Sequence, residues 1–70
     1  MSENNLRIKR NLKRITQFDI RLKTGIHQSK ISLIENGYYP PTIEEIKKIA
    51  KVLNCKPEEL FPKVETAINE

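Results

Sequence analysis

The sequence is poor in the residues that staple, bend or coordinate. It holds one cysteine, one histidine, two glycines, no tryptophan, two phenylalanines and two tyrosines. A lone thiol excludes an internal disulfide. Cys55, between an apolar stretch and a proline, reads as a small core residue of a chain kept in a reducing cytoplasm. One histidine and one distant cysteine leave no cluster with metal-ligand spacing, so no metal is expected. No apolar run approaches the roughly 18 residues of a membrane span, and the charged N-terminus lacks the apolar segment of a signal peptide. A soluble, cytoplasmic protein without membrane contact is the expectation. Paired carboxylates, a nucleophile beside a base and a glycine-rich phosphate loop are all missing, which argues against an enzyme, a cofactor or a small-molecule ligand.

What is present is a short, basic chain of 70 residues. That length makes one domain, close to the lower limit for folding on an apolar core alone, and helical packing is the economical solution. Lys and Arg number 13 against nine Asp and Glu, a formal net charge of +4. The surplus lies entirely in the first 30 residues, where Arg7, Lys9, Arg10, Lys13, Arg14, Arg21, Lys23 and Lys30 face only Glu3 and Asp19. A polyanion is the natural partner of such a half, although charge alone also fits a solvated surface with no partner.

Residues 16–37 organise the rest. Thr16 is placed to cap a helix running from Gln17 to Lys23, and Gly25 to close it. A second helix begins near His27 or Gln28 and runs to Glu35, where Asn36 and Gly37 tolerate positive φ. At 100° per residue, Ile31, Ile34 and Glu35 fall on one face of this helix. Gln28, Ser29, Ser32 and Leu33 fall on the other. The second face is short, uncharged and rich in hydrogen-bonding groups, which suits close approach to a DNA major groove. Glu35 on the inner face demands a cationic partner.

Before this stretch, Met1 to Asn4 form a polar tail, and a helix is expected over about Asn5 to Lys13. Its apolar pattern leaves the inward face open, with Leu6 and the Lys9 stem on one side and Ile8 and Leu12 on the other. Arg14 stands in the link where a glycine would be easier; a positive φ there costs about 1 kcal/mol. After Gly37, two adjacent prolines exclude helix until Thr42, which opens a capping box with Glu45. Ile43, Ile46, Ile49, Ala50 and Leu53 then recur at helical spacing, with Asn54 as a C-cap. Pro57 begins a short helix to Leu60, and Leu60 and Phe61 turn back to the core. In the tail from Pro62 to Glu70, Val64, Ala67 and Ile68 keep a one-turn spacing, compatible with a dimer contact and equally with none.

The ordered set Ile15-Thr16-Gln17, Ile20, Gly25-Ile26, Gln28, Ile31-Ser32, Ile34-Glu35-Asn36-Gly37, Pro41-Thr42, Ile46, Ile49-Ala50, Leu53 and Glu59-Leu60-Phe61 resembles the helix-turn-helix domain of the lambda repressor and Cro family, also called the XRE-type family. The likeness covers about residues 5–61. It implies an all-α, compact five-helix domain whose third helix, about residues 27–35, reads double-stranded DNA. By the same likeness, Gln17 contacts a phosphate and supports Gln28, the lead base contact. A glutamine amide pairs bidentately with adenine. Ser29, Ser32 and Leu33 take the adjoining base-facing positions, Leu33 against a thymine methyl. His27, Lys30, Asn36 and Tyr38 are expected near phosphates, with Lys13 and Arg14 as further basic reach. Arg10 is the partner the likeness assigns to Glu35. Tyr38 and Tyr39 stand where the family often has Lys or Arg; covering the core edge suits them as well as touching DNA does. Arg21 replaces a usual small residue on the second helix. The function implied is a minimal Cro-like or controller-like repressor, a homodimer on a pseudo-palindromic operator. The competing reading is an antitoxin-like module that mainly holds another protein.

Overall fold

Two threonines decide where two of the helices start. In a computed structural model, which describes residues 4–62, five helices follow one another. They are α1 (Leu6–Leu12), α2 (Gln17–Thr24), α3 (Gln28–Glu35), α4 (Ile43–Leu53) and α5 (Pro57–Leu60). The Thr16 hydroxyl accepts from the Asp19 amide at 3.0 Å while the Asp19 carboxylate accepts from the Thr16 amide at 2.9 Å. Thr42 and Glu45 repeat this reciprocal cap at 3.1 and 2.9 Å. Each box satisfies two amides that a helix start otherwise leaves without partners. The box at α4 is the one foreseen; the box at α2 adds Asp19 to the expected Thr16 cap.

The helix ends are as local as the starts. At the end of α3, the Tyr38 amide donates back to Leu33 O at 2.9 Å and the Gly37 amide to Ile34 O at 3.1 Å, with Gly37 at φ +80°. That is a Schellman closure, and it needs a left-handed residue at Gly37. Asn54 closes α4 with φ +55°, the Cys55 amide reaching Ala50 O. Arg14 does the same after α1 at φ +57°, the Ile15 amide reaching Arg10 O at 2.9 Å.

The core is built from one face of every helix. Leu6, Ile20, Ile31, Ile34, Ile49, Leu53 and Leu60 are wholly buried, with Ile26, Ile46, Ala50 and Phe61 beside them. Helix α2 packs on both α3 and α4, and α4 carries α5. The open question about α1 is settled in favour of Leu6, since Ile8 and Leu12 are 60% and 73% exposed. Apolar spacing does not set that rotation. Polar ties do: the Asn5 amide donates to Leu60 O at 2.8 Å, and Arg10 reaches inward to Glu35. Asn4, read from the sequence as tail, donates from Nδ2 to Ile34 O at 2.8 Å and accepts the Leu6 amide. The expected tail positions 1–3, and the C-terminal apolar spacing of Val64, Ala67 and Ile68, lie outside the described residues.

The Arg14 side chain is exposed, so its left-handed backbone gains nothing from burial. Glycine adopts that φ freely but also loses more chain entropy on folding. Arg14→Gly is therefore expected to raise stability by about 0.5–1 kcal/mol, read from the midpoint of a denaturant titration.

Candidate nucleic-acid interface

Helix α3 divides into the two faces its sequence draws. Ile31, Ile34 and Glu35 are buried, whereas Gln28 and Ser29 are exposed, Leu33 is 45% exposed and Ser32 is half-buried. These four side chains share the outer side of a helix of eight residues, with His27 exposed at its N-cap. Such a rod, two turns long with short side chains, presents an amide, two hydroxyls and one methyl-bearing edge together. It is the size and chemistry that base edges in a major groove require.

The inner face is fixed by a carboxylate. Glu35 Oε2 accepts from Arg10 Nε at 2.6 Å, and Oε1 accepts from Arg10 Nη2 at 3.3 Å, Gln17 Nε2 at 3.0 Å and Arg7 Nε at 3.3 Å. Four donors from α1 and α2 thus fill the acceptor capacity of one carboxylate in α3. Arg10 Nη1 donates to Ile15 O at 3.1 Å, so that guanidinium also binds the link into α2. Among the described residues, no buried side-chain nitrogen or oxygen lacks a partner. A buried charge is tolerable only in such company. The pairing of Arg10 with Glu35 is therefore present, enlarged by Arg7 and Gln17.

Several residues assigned from the sequence to phosphate are engaged within the protein. Gln17 gives one amide proton to Glu35 and keeps the second. Asn36 is committed at both ends: Nδ2 donates to Ser32 O at 2.9 Å, and Oδ1 accepts from Arg7 Nη2 at 2.9 Å. The backbone after it offers no free donor either, because the amides of Asn36, Gly37 and Tyr38 all close the helix end. Lys30 forms an ion pair with Glu45 Oε2 at 2.6 Å and lies 4.7 Å from the centre of the Tyr39 ring. It ties α3 to α4. The two tyrosines part company: Tyr38 stands 80% exposed, while Tyr39 is half-buried against the core. Arg21 is exposed, so its replacement of a small residue causes no crowding.

Charge states follow from these contacts. Desolvation pushes the Glu45 carboxyl up, but the Lys30 ammonium and the Thr42 amide and hydroxyl outweigh it and hold the group below its usual value of 4.5. Lys30 moves in the complementary direction, upward, through its hydrogen bonds to Glu45 and Tyr39. Asp19 is lowered by the Thr16 amide and hydroxyl. Burial pushes the Cys55 thiol up, which keeps it in the protonated, unreactive form.

Three comparisons bear on this arrangement. The family model described as helix-turn-helix matches residues 6–60. An uncharacterised HTH-type transcriptional regulator of Methanocaldococcus jannaschii is 37% identical over 59 residues, spanning 84% of this chain and 89% of that protein. One from Archaeoglobus fulgidus is 36% identical over 47 residues, 67% of each chain. Among solved structures, the restriction-modification controller protein C.AhdI from Aeromonas hydrophila superposes with a TM-score of 0.76 at 30% identity. It matches over 81% of this chain and 86% of its own.

Two stability predictions follow from the network. Glu35→Gln leaves the Arg10 guanidinium, only 13% exposed, without its counter-charge and is expected to cost about 3–5 kcal/mol in chemical denaturation. Glu45, held low, contributes stability that is complete above 4.5 and is lost as pH falls through its lowered folded value. Thermal midpoints measured over an acid series should therefore fall less steeply for Glu45→Gln than for the wild type.

Proposed function

Since the chain belongs to the helix-turn-helix family, whose matched relatives are named transcriptional regulators, we propose that it is a sequence-specific DNA-binding regulator reading the major groove with α3. The observation that carries the proposal is the outer face of α3. Gln28, Ser29, Ser32 and Leu33 stand together on a helix whose inner face is locked by Glu35. Gln28 takes the lead base contact, its amide donating to adenine N7 and accepting from N6. Ser29 and Ser32 add adaptable hydroxyls, and Leu33 meets a thymine methyl. His27 and the second amide proton of Gln17 flank this face and meet phosphates. Tyr38, exposed just past the end of α3, offers a phosphate its hydroxyl without long-range attraction.

Four short side chains specify few base pairs. A homodimer on a pseudo-palindromic operator, with half-sites about one helical turn apart, doubles the information, and the protein acts as a minimal controller-like repressor in the cytoplasm. The likeness to a restriction-modification controller protein supports that reading of scale and role. The basic first half supplies the sequence-independent attraction that brings such a protein to DNA.

Selection of bound duplexes from a random pool tests the proposal. Enrichment of a two-fold symmetric motif is expected, with Gln28→Ala relaxing one position per half-site by about 1–3 kcal/mol. A pool that shows no enrichment, together with a stoichiometric protein partner in pull-downs, moves the assignment to a protein-holding module.

A further inference from the structure

We infer that Arg7 is a phosphodiester-binding residue at the C-terminal end of α3, held in place by Glu35 and Asn36; this rests on the DNA-binding reading above. The argument begins with charge. One carboxylate meets two guanidinium groups, so the cluster keeps one positive charge in surplus. The surplus has only one way out. Arg10 is 13% exposed and all three of its nitrogens are committed, to Glu35 and to Ile15 O. Arg7 is 53% exposed and commits two, Nε to Glu35 Oε1 and Nη2 to Asn36 Oδ1. Its Nη1 has no hydrogen bond among the described residues.

A guanidinium is a planar fork whose outer edge can hold two oxygens of one phosphate. Here the inner edge is pinned by two acceptors, so the outer edge is already aimed. Little side-chain entropy remains to be lost on binding.

The location is what gives this aim a use. Asn36, the acceptor for Arg7, is the C-cap of α3 and also donates to Ser32 O, so Arg7 lies at the end of the reading helix. That end carries the negative pole of the helix and has its amides consumed in the cap. Without a cation it repels a phosphate. Arg7 reverses the sign there and does the work that Asn36 and the following backbone, being committed internally, do not.

The test is the salt dependence of duplex binding by Arg7→Gln and Arg7→Lys beside the wild type, with thermal unfolding run on the same samples. Arg7→Gln is expected to reduce the slope of log affinity against log salt by about 0.9 per protomer bound, alike on specific and non-specific duplexes. Arg7→Lys should keep the wild-type slope. An unchanged slope for a folded Arg7→Gln, or a loss confined to one sequence, overturns the inference while leaving the proposed function intact. A wild type that binds every duplex alike yet still loses slope on Arg7→Gln leaves the contact standing and removes the sequence-specific reading. If Arg7→Gln does not fold, the wild-type Arg7 Nε–H resonance provides the decision. A shift on adding duplex supports the contact, and a signal unmoved at saturation overturns it.

Discussion

The fold turns on a negative charge placed where water cannot reach it. Glu35 sits on the inner side of an eight-residue helix, wholly shielded, and no apolar neighbour can compensate it. Its solution is to gather donors from the two helices that precede it in the chain, Arg7 and Arg10 from α1 and Gln17 from α2. Burying such a group contributes little net stability, because desolvation offsets most of the attraction. What it contributes is a single allowed arrangement. Sliding α3 by one residue along the core would part the buried carboxylate from its donors and two guanidinium groups from their counter-charge, so the register of the outer face is set from within.

That constraint matters because α3 is too short to persist by itself; isolated helices of fewer than about 12 residues are marginal in water. Packing of Ile31 and Ile34 supplies the attraction, and the Schellman closure at Gly37 fixes where the helix stops. At the other end, Thr24 adds a small device of its own. Its hydroxyl donates to Ile20 O at 2.7 Å and accepts from the Ile26 amide at 3.1 Å, stitching α2 to the turn beside Gly25. Helix α3 is thus held at its start, its middle and its end by separate means. Side chains on its outer face inherit that rigidity at no cost to themselves, which is the condition for discriminating one base edge from another.

Almost all of the backbone was legible in the sequence. Capping residues, glycines and prolines act over three or four positions, so Thr16, Thr42, Gly25, Gly37 and Asn54 announce their roles to a reader who sees only neighbours. The inner and outer faces of α3 and α4 were legible for the same reason, since periodicity is a local property. Contacts across the chain were not. Arg7 reaches Glu35 over 28 positions and Lys30 reaches Glu45 over 15, and nothing in the spacing of either pair distinguishes it from many others. The rotation of α1 was ambiguous because Ile8 and Leu12 outnumber Leu6, while the deciding forces are polar and come from α3 and α5. Of the candidate site, the outer-face side chains of α3 could be read from one helix. Which polar side chains are left available to a phosphate could not, because that depends on what else has taken each of them.

Availability is therefore a better guide to the interface than residue type, and the bonds already in place can be ranked by how readily they exchange. The ion pair of Lys30 with Glu45 is more than one-third exposed on the lysine side, where water and salt screen it, and a phosphate arriving nearby replaces one anion with another. Asn36 is different. Moving its side-chain amide would release Arg7 and leave Ser32 O without its second donor, two losses for one gain. Arg10 is more restricted still, since any departure leaves Glu35 charged and buried. Between these extremes stands Arg7, whose internal bonds and outward edge do not compete. A phosphate can be added to it without subtracting anything, so the residue that helps to pin α3 also keeps an outward edge on which an anion can be held.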